Sequence, residues 1–481
     1  MRRSLLMLAL GVLVLAAGVQ AHAQNAKNIV LMVADGASYN AWNMASYYQY
    51  GALGSQPYDS FPVKYAVTTY PLTTSTSPTG DSTPQVSYNS ASAWSTTPTT
   101  DGTYFAGYRY LKQNPTDSAA AATALATGVK TYNNAINYSN SPAGTGTPLV
   151  TIAELAKAHG KAAGVVTSVE WSHATPAALG AAHNVDRDNY AAIANEMLTS
   201  STLDVIMGAG SPDYTVNGTA QTGTKDYKFV GGQATWTALQ TGTHAGGWTL
   251  VESKTAFEAL MSGDTPDRVL GTAQVSTTLQ QDRGTYAAGE AVYGTAFNSN
   301  VPTLTTMTRG ALNVLDNDPD GFFLMVEGGA VDWAAHDKQA SRAIEEFIDF
   351  NNAVQAVITW VNANSNWNET LLIITTDHGN GLPLGPNANT TAFQAIVNNG
   401  AGAMPGMKWE VSGHTNELVP LFAKGAGSSL FTGLVDGTDS VRGSYIDNTD
   451  VYTVMAEVVP EPATLALVGA GVLLALRRRR R

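Results

Sequence analysis

The chain has 481 residues, 44% of them hydrophobic, a formal net charge of −12 at pH 7 and no cysteine. The acidic surplus repels nucleic acid and anionic membranes, so nothing supports a polyanion-binding role, and the absence of thiols excludes disulfide staples and thiolate catalysis. Between its two end segments roughly 430 residues remain, enough for one large α/β domain with insertions or for two to three average domains.

In chain order, Arg2 and Arg3, an apolar run over 5–19 and the Ala21-His22-Ala23 site read as a secretory signal peptide over 1–23, so the processed chain is expected to begin near Gln24. A strand is predicted over 28–34. Residues 69–103, dense in Ser, Thr and Pro and without period, read as a rim insertion. An alanine-rich helix follows over 119–127, and a second over 152–159, opened by Thr151 and Glu154 in capping-box spacing and closed at Gly160. Further strands are predicted over 164–169, 204–207, 322–326, 371–376 and 419–423, with a long helix over 341–362. Residues 211–305, polar and rich in Gly and Thr, read as a second rim insertion, the alternative being a small separate domain. Strands alternating with helices predict an α/β fold, a three-layer αβα sandwich around a mostly parallel central sheet.

The C-terminal segment 459–481 carries Val459-Pro460-Glu461-Pro462, an apolar stretch over 463–476 and five arginines, Arg477 to Arg481. It resembles the PEP-CTERM sorting signal, which implies export, processing by an exosortase near the Pro-Glu-Pro motif, and a periplasmic, cell-surface or matrix location. The apolar stretch is short against the roughly 20 residues of a stable span, so a transient stop in the membrane is the expected use. Loss of 1–23 and 463–481 removes seven arginines and no acid, taking the net charge from −12 to −19. The domain proper is expected over 24–458.

The chemistry gathers where predicted strands stop. Asp35 follows the first strand, Glu327 the strand over 322–326, Asp377 and His378 the strand over 371–376, and His173 and Thr175 the strand over 164–169. In a parallel sheet these ends share one edge, where open α/β sheets bind ligands. Each residue alone would be an ordinary turn former or loop charge, but so many acids and imidazoles at successive strand ends are costly to cluster without a cation. Asp332 and His336, four apart, project from one helix face and can grip one metal, although that spacing by itself is usually a surface pair. His414 adds a loop imidazole. Ser118 stands at the N-terminus of the alanine-rich helix, where backbone amides favour phosphate; from this segment alone Asp117 or Ser118 could equally be a plain N-cap.

The segments Asp-Ser-Ala-Ala-Ala-Ala-Thr-Ala from Asp117, Glu-Gly-Gly-Ala-Val-Asp-Trp-Ala-Ala-His from Glu327, Thr-Thr-Asp-His-Gly from Thr375 and Ser-Gly-His-Thr-Asn-Glu from Ser412 resemble, in this order, those of the alkaline phosphatases. So do His-Ala-Thr-Pro from His173 and Ala-His-Asn-Val-Asp-Arg-Asp from Ala182. The resemblance implies hydrolysis of phosphate monoesters through a phosphoserine on Ser118 at two zinc ions and one magnesium ion. One zinc would take Asp332, His336 and His414, and the second Asp35, Asp377 and His378. Magnesium would take Asp35, Thr175 and Glu327 with His173 beside it, while Arg187 would hold phosphate and Asp117 would orient Arg187. Trp333 departs from members that carry lysine or histidine there. Homodimers are common in the family, and no nucleic-acid partner is expected. Related readings fit less well: a phosphodiesterase needs no magnesium site, a sulfatase needs Pro and Arg after its nucleophile, and a degenerate matrix scaffold would not keep every ligand.

Overall fold

The computed structural model describes residues 25–142 and 144–459; the expected signal peptide and nearly all of the sorting segment lie outside them. Eight strands come first: β1 (Asn28–Val33), β2 (Val63–Thr68), β3 (Ala162–Glu170), β4 (Val205–Ala209), β5 (Thr249–Val251), β6 (Val269–Thr272), β7 (Phe322–Glu327) and β8 (Thr370–Thr375). Four two-residue strands follow, β9 (Gly379–Asn380), β10 (Pro383–Leu384), β11 (Lys408–Trp409) and β12 (His414–Thr415), then β13 (Val419–Gly425), β14 (Gly437–Asp439) and β15 (Gly443–Asp447). Eleven of them form one sheet in the order β14-β15-β2-β13-β8-β1-β7-β3-β4-β6-β5.

The centre of this sheet is parallel and buried on both faces. β1 lies between β8 and β7, with Val33 opposite Thr375 on one side and Glu327 on the other. Its side chains alternate between two cores. Ile29, Leu31 and Val33 pack with Leu125, Ile152 and Val454, whereas Val30 and Met32 pack with Met307, Phe347 and Val354. Helices Ser118–Thr127, Ile152–Ala158 and Thr449–Val458 therefore cover one face, and Tyr39–Tyr50, Leu304–Leu315 and Ala340–Asn364 the other. These are the three layers expected. The capping box of Thr151 and Glu154 is formed as its spacing requires.

Two features differ from the expectation. Residues 211–305 are not wholly an insertion, because β6 inside them pairs in parallel with β4, and β5 in parallel with β6, so that both extend the main sheet. At three and four residues these strands are too short to give a readable alternation. The strand over 419–423 is β13, antiparallel to both β8 and β2, so its N-terminal end reaches the edge where its parallel neighbours end. His414, five residues before β13, arrives for that reason at the same edge as Asp35, Glu327 and Asp377. The segment over 69–103 is largely irregular, and its end packs Ala93, with Phe105, Tyr108 and Leu111, against Leu382, Leu384 and Ala388 as a small satellite core.

The two ends of the described chain meet at the opposite edge. The Ala26 amide donates to the Val458 carbonyl at 2.8 Å, just before β1 begins. Among the described residues no helix is long and apolar enough to cross a membrane.

Candidate active site

Asp35 leaves β1 through Gly36, whose φ of +65° favours glycine and whose Cα would place a Cβ 2.3 Å from Asp332 Oδ1. The chain needs glycine there because two acids must stand side by side. Asp35, Glu327, Asp377 and His378 are at most 2% exposed and Asp332 is 5% exposed. Two triplets converge with their ligand atoms within 4.8 Å of one another: Asp35, Asp377 and His378, and Asp332, His378 and His414. His336 joins the second group, its Nε2 3.3 Å from Asp332 Oδ2 and 3.1 Å from His414 Nε2. Thr175 Oγ1 lies 3.4 Å from Asp35 Oδ2, and Glu327 ends β7 beside Val33.

The electrostatics of this cluster are unsatisfied by protein alone. Burial, then the charges of Asp377, Asp332 and Glu327, hold the Asp35 carboxyl well above its usual range. Burial likewise raises Asp377 and Glu327. Burial works in the same direction on Asp332, but the imidazoles of His414 and His336 outweigh it and bring that group down. Asp35 Oδ1, Glu327 Oε1 and Asp377 Oδ2 are buried without a hydrogen-bond partner, as are Nδ1 of His173 and of His378. The histidine tautomers tell the same story. His336 Nδ1 meets the Ser412 carbonyl at 2.9 Å and His414 Nδ1 the Thr116 carbonyl at 2.8 Å, so each Nδ1 donates and each Nε2 faces Asp332 and the other ring; burial works against a charge on His336, but the Asp332 carboxylate prevails and raises that imidazole to about 9. Two Nε2 atoms 3.1 Å apart with orphaned carboxylate oxygens around them form an N/O donor set that fits divalent cations.

Ser118, 2% exposed, is the first residue of its helix, and its Oγ lies 3.1 Å from His378 Nε2, at the junction of the two triplets. Asp117 serves as the N-cap and also holds the arginine: Oδ1 accepts the Ala120 amide at 2.9 Å, and Oδ2 accepts Arg187 Nη1 at 3.0 Å and the Asn134 amide at 2.9 Å. Ser118, His173, Arg187, Trp333, His336 and His414 line an open cavity of about 420 Å³. Trp333 meets the His173 ring edge-on with centroids 5.6 Å apart. Burial, with Arg187 adding to it, pushes the His173 imidazole down to about 3, so it is neutral. All twelve residues singled out from the sequence are thus brought to one edge.

Supporting residues escaped the sequence reading. Asn380 Nδ2 donates to Asp332 Oδ1 at 2.7 Å, the Asn380 amide donates to Ser38 Oγ at 3.2 Å, and the Thr167 hydroxyl donates to Glu327 Oε2. Only the nearness of Asn380 to Asp377 and His378 could have flagged any of them.

The alkaline phosphatase family model matches residues 99–404, and the PEP-CTERM protein-sorting motif matches residues 458–481. Alkaline phosphatase 4 of Bacillus subtilis is 30% identical over 391 residues, covering 68% of this chain and 76% of its own. Among solved structures, the cold-active alkaline phosphatase of a Shewanella species superposes with a TM-score of 0.62 at 23% identity over 90% of this chain and all of its own. The alkaline phosphatase of the Antarctic bacterium TAB5 does so with a TM-score of 0.56, also at 23% identity, over 91% and 98%. Together with a buried serine beside two candidate metal-ligand triplets, these matches place the chain in the alkaline phosphatase family, whose members hydrolyse phosphate monoesters.

Proposed function

We propose that this protein is an exported alkaline phosphatase that cleaves phosphate monoesters through a phosphoserine on Ser118, with two zinc ions and one magnesium ion at the clustered ligands. The observation that carries the reading is the placement of Ser118 Oγ at the junction of the two ligand triplets. Asp332, His336 and His414 would hold one zinc, Asp35, Asp377 and His378 the other, and Asp35, Thr175 and Glu327 the magnesium, with His173 alongside. Bound there, the cations would supply charge that lowers the pKa of the Ser118 hydroxyl and stabilises the leaving oxygen.

Arg187, oriented by Asp117, binds the non-bridging phosphoryl oxygens and keeps phosphorus in line with Ser118. The Ser118 oxygen forms a bond to phosphorus as the ester P–O bond breaks, and the departing alcohol takes a proton. Water then attacks the phosphoserine from the opposite side, which frees phosphate and returns the proton to Ser118. Export through the signal peptide and removal of the arginine tail near Pro460 to Pro462 by an exosortase complete the proposal, which rests on the sorting-motif match.

The test uses the processed chain, residues 24–458, loaded with metal and assayed on an aryl phosphate monoester and an aryl phosphodiester. Monoester turnover should dominate, and Ser118→Ala should lose it by on the order of 10³-fold or more while keeping its bound zinc. Preference for the diester, or near-normal turnover in the variant, would overturn the reading.

A further inference from the structure

A second cavity, of about 270 Å³, shares no lining residue with the catalytic one. It opens between the helix Tyr39–Tyr50, which contributes Asn43, and the rim, which contributes Trp94 and Phe393 with ring centroids 4.7 Å apart. Two charged groups line it as well. The Arg442 guanidinium lies 4.0 Å over the Tyr39 ring and 5.4 Å from the Trp94 ring, and among the described residues no carboxylate pairs with it. Glu417 gives its Oε1 to the hydroxyls of Ser38 at 2.5 Å and Thr415 at 2.9 Å; its other oxygen has no hydrogen-bond partner among the described residues.

The wall mixes leucines, among them Leu53, Leu382 and Leu384, with the rings of Trp94 and Phe393; Arg442 and Glu417 lie within each other's field but form no salt bridge, and their formal charges sum to zero. An anion would satisfy Arg442 and meet Glu417, and a cation would do the reverse. A purely apolar guest would leave the guanidinium N–H groups and the second Glu417 oxygen without a hydrogen-bond partner. An uncharged flat ring that accepts from the guanidinium and donates to the free Glu417 oxygen satisfies both while stacking on Trp94. Side-by-side acceptor and N–H donor on a planar ring is the edge of a nucleobase. We propose that this cavity is a second ligand site, separate from the catalytic one, for a nucleoside or free nucleobase.

Calorimetric titration of the metal-loaded protein with adenosine and with uridine tests this, with inorganic phosphate saturating the catalytic cavity. Saturable binding of at least one of them at a single site is expected, and it should weaken at least tenfold in Arg442→Gln and in Asn43→Phe, the second filling the slot from the helix side. Indole, which lacks the acceptor, and benzoate, which is an anion, should each bind at least tenfold more weakly than the nucleoside. The absence of saturable binding up to about 10 mM, equal binding by indole, or unchanged affinity in both variants would overturn the proposal. Should Arg442→Gln melt far below the parent, Asn43→Phe and the ligand comparison decide the matter.

Discussion

Trp333 stands immediately after the ligating Asp332 and lines the catalytic cavity, edge-on to the neutral ring of His173. An indole offers one N–H donor and no charge, so phosphate in this cavity depends on Arg187 as its one fixed protein cation. Trp333→Lys should tighten inhibition by inorganic phosphate and slow product release, read as a lower inhibition constant with the melting temperature kept. A destabilised variant with unchanged phosphate inhibition would instead make Trp333 a packing residue under the metal loop. Asn380 invites a second test, since its amide fixes the Asp332 carboxylate from behind. Asn380→Leu keeps the volume and removes the donor, and zinc affinity measured by chelator competition should fall roughly 10–100-fold. Unchanged affinity would show that Asp332 is positioned without it.

The loop that carries Arg187 is pinned between elements by His183. Its Nδ1 faces Glu196 Oε1 at 3.0 Å on the helix Tyr190–Thr199, and its Nε2 faces the Leu149 carbonyl at 3.0 Å, with Glu154 Oε2 3.6 Å away on the next helix. Both ring nitrogens meet acceptors, so the ring carries both protons. Burial works against that charge, but the hydrogen bonds to Glu154 and Glu196 prevail and raise the imidazole to about 10, above the roughly 6.5 of an unfolded chain. A raised folded pKa means that the stabilisation is complete below about pH 6.5 and is lost as pH rises through about 10. His183→Gln should therefore cost about 1–3 kcal/mol near neutrality, and its deficit in melting temperature should shrink between pH 7 and pH 10.5. A deficit that does not change with pH would mean that the ring is neutral.

At this same scale the limits of the sequence are visible. β1, β3, β7 and β8 were legible because buried parallel strands are long apolar runs, and Asp35, Glu327, Asp377 and His378 stand at or just after the ends of three of them. β2 was missed because Lys64 and Tyr65 interrupt its pattern, and β5 and β6 because they are too short. Asp117 read as either an N-cap or a partner of Arg187, and it is both, since its two oxygens point in different directions. Asn380, Ser38 and Thr167 could not be read at all. Their contacts span dozens to hundreds of residues in the chain, and a lone polar side chain carries no period to announce them.

For the molecule as a whole, the presumed ligands come from the ends of β1, β7 and β8, from the helices Ala174–Leu179 and Ala330–His336, and from β12. No disulfide ties these segments together, so bound cations would be their main cross-link. A ligand that binds the folded state alone stabilises it by about 4 kcal/mol at a thousandfold excess over its dissociation constant. Exhaustive chelation should accordingly abolish activity and lower the melting temperature by several degrees. A melting temperature unchanged after metal analysis confirms removal would refute the ligand assignment.

The hydrogen bond from Ala26 to Val458 brings the entry and the exit of the folded body to one point. Strands rise about 3.3 Å per residue, so Asp35 stands roughly 30 Å from that point, at the far edge of the sheet. Anything that grips the polypeptide just beyond Val459 therefore holds it by its base, as a lamp is held by its stand. The candidate active site then lies at the end of the sheet away from that grip.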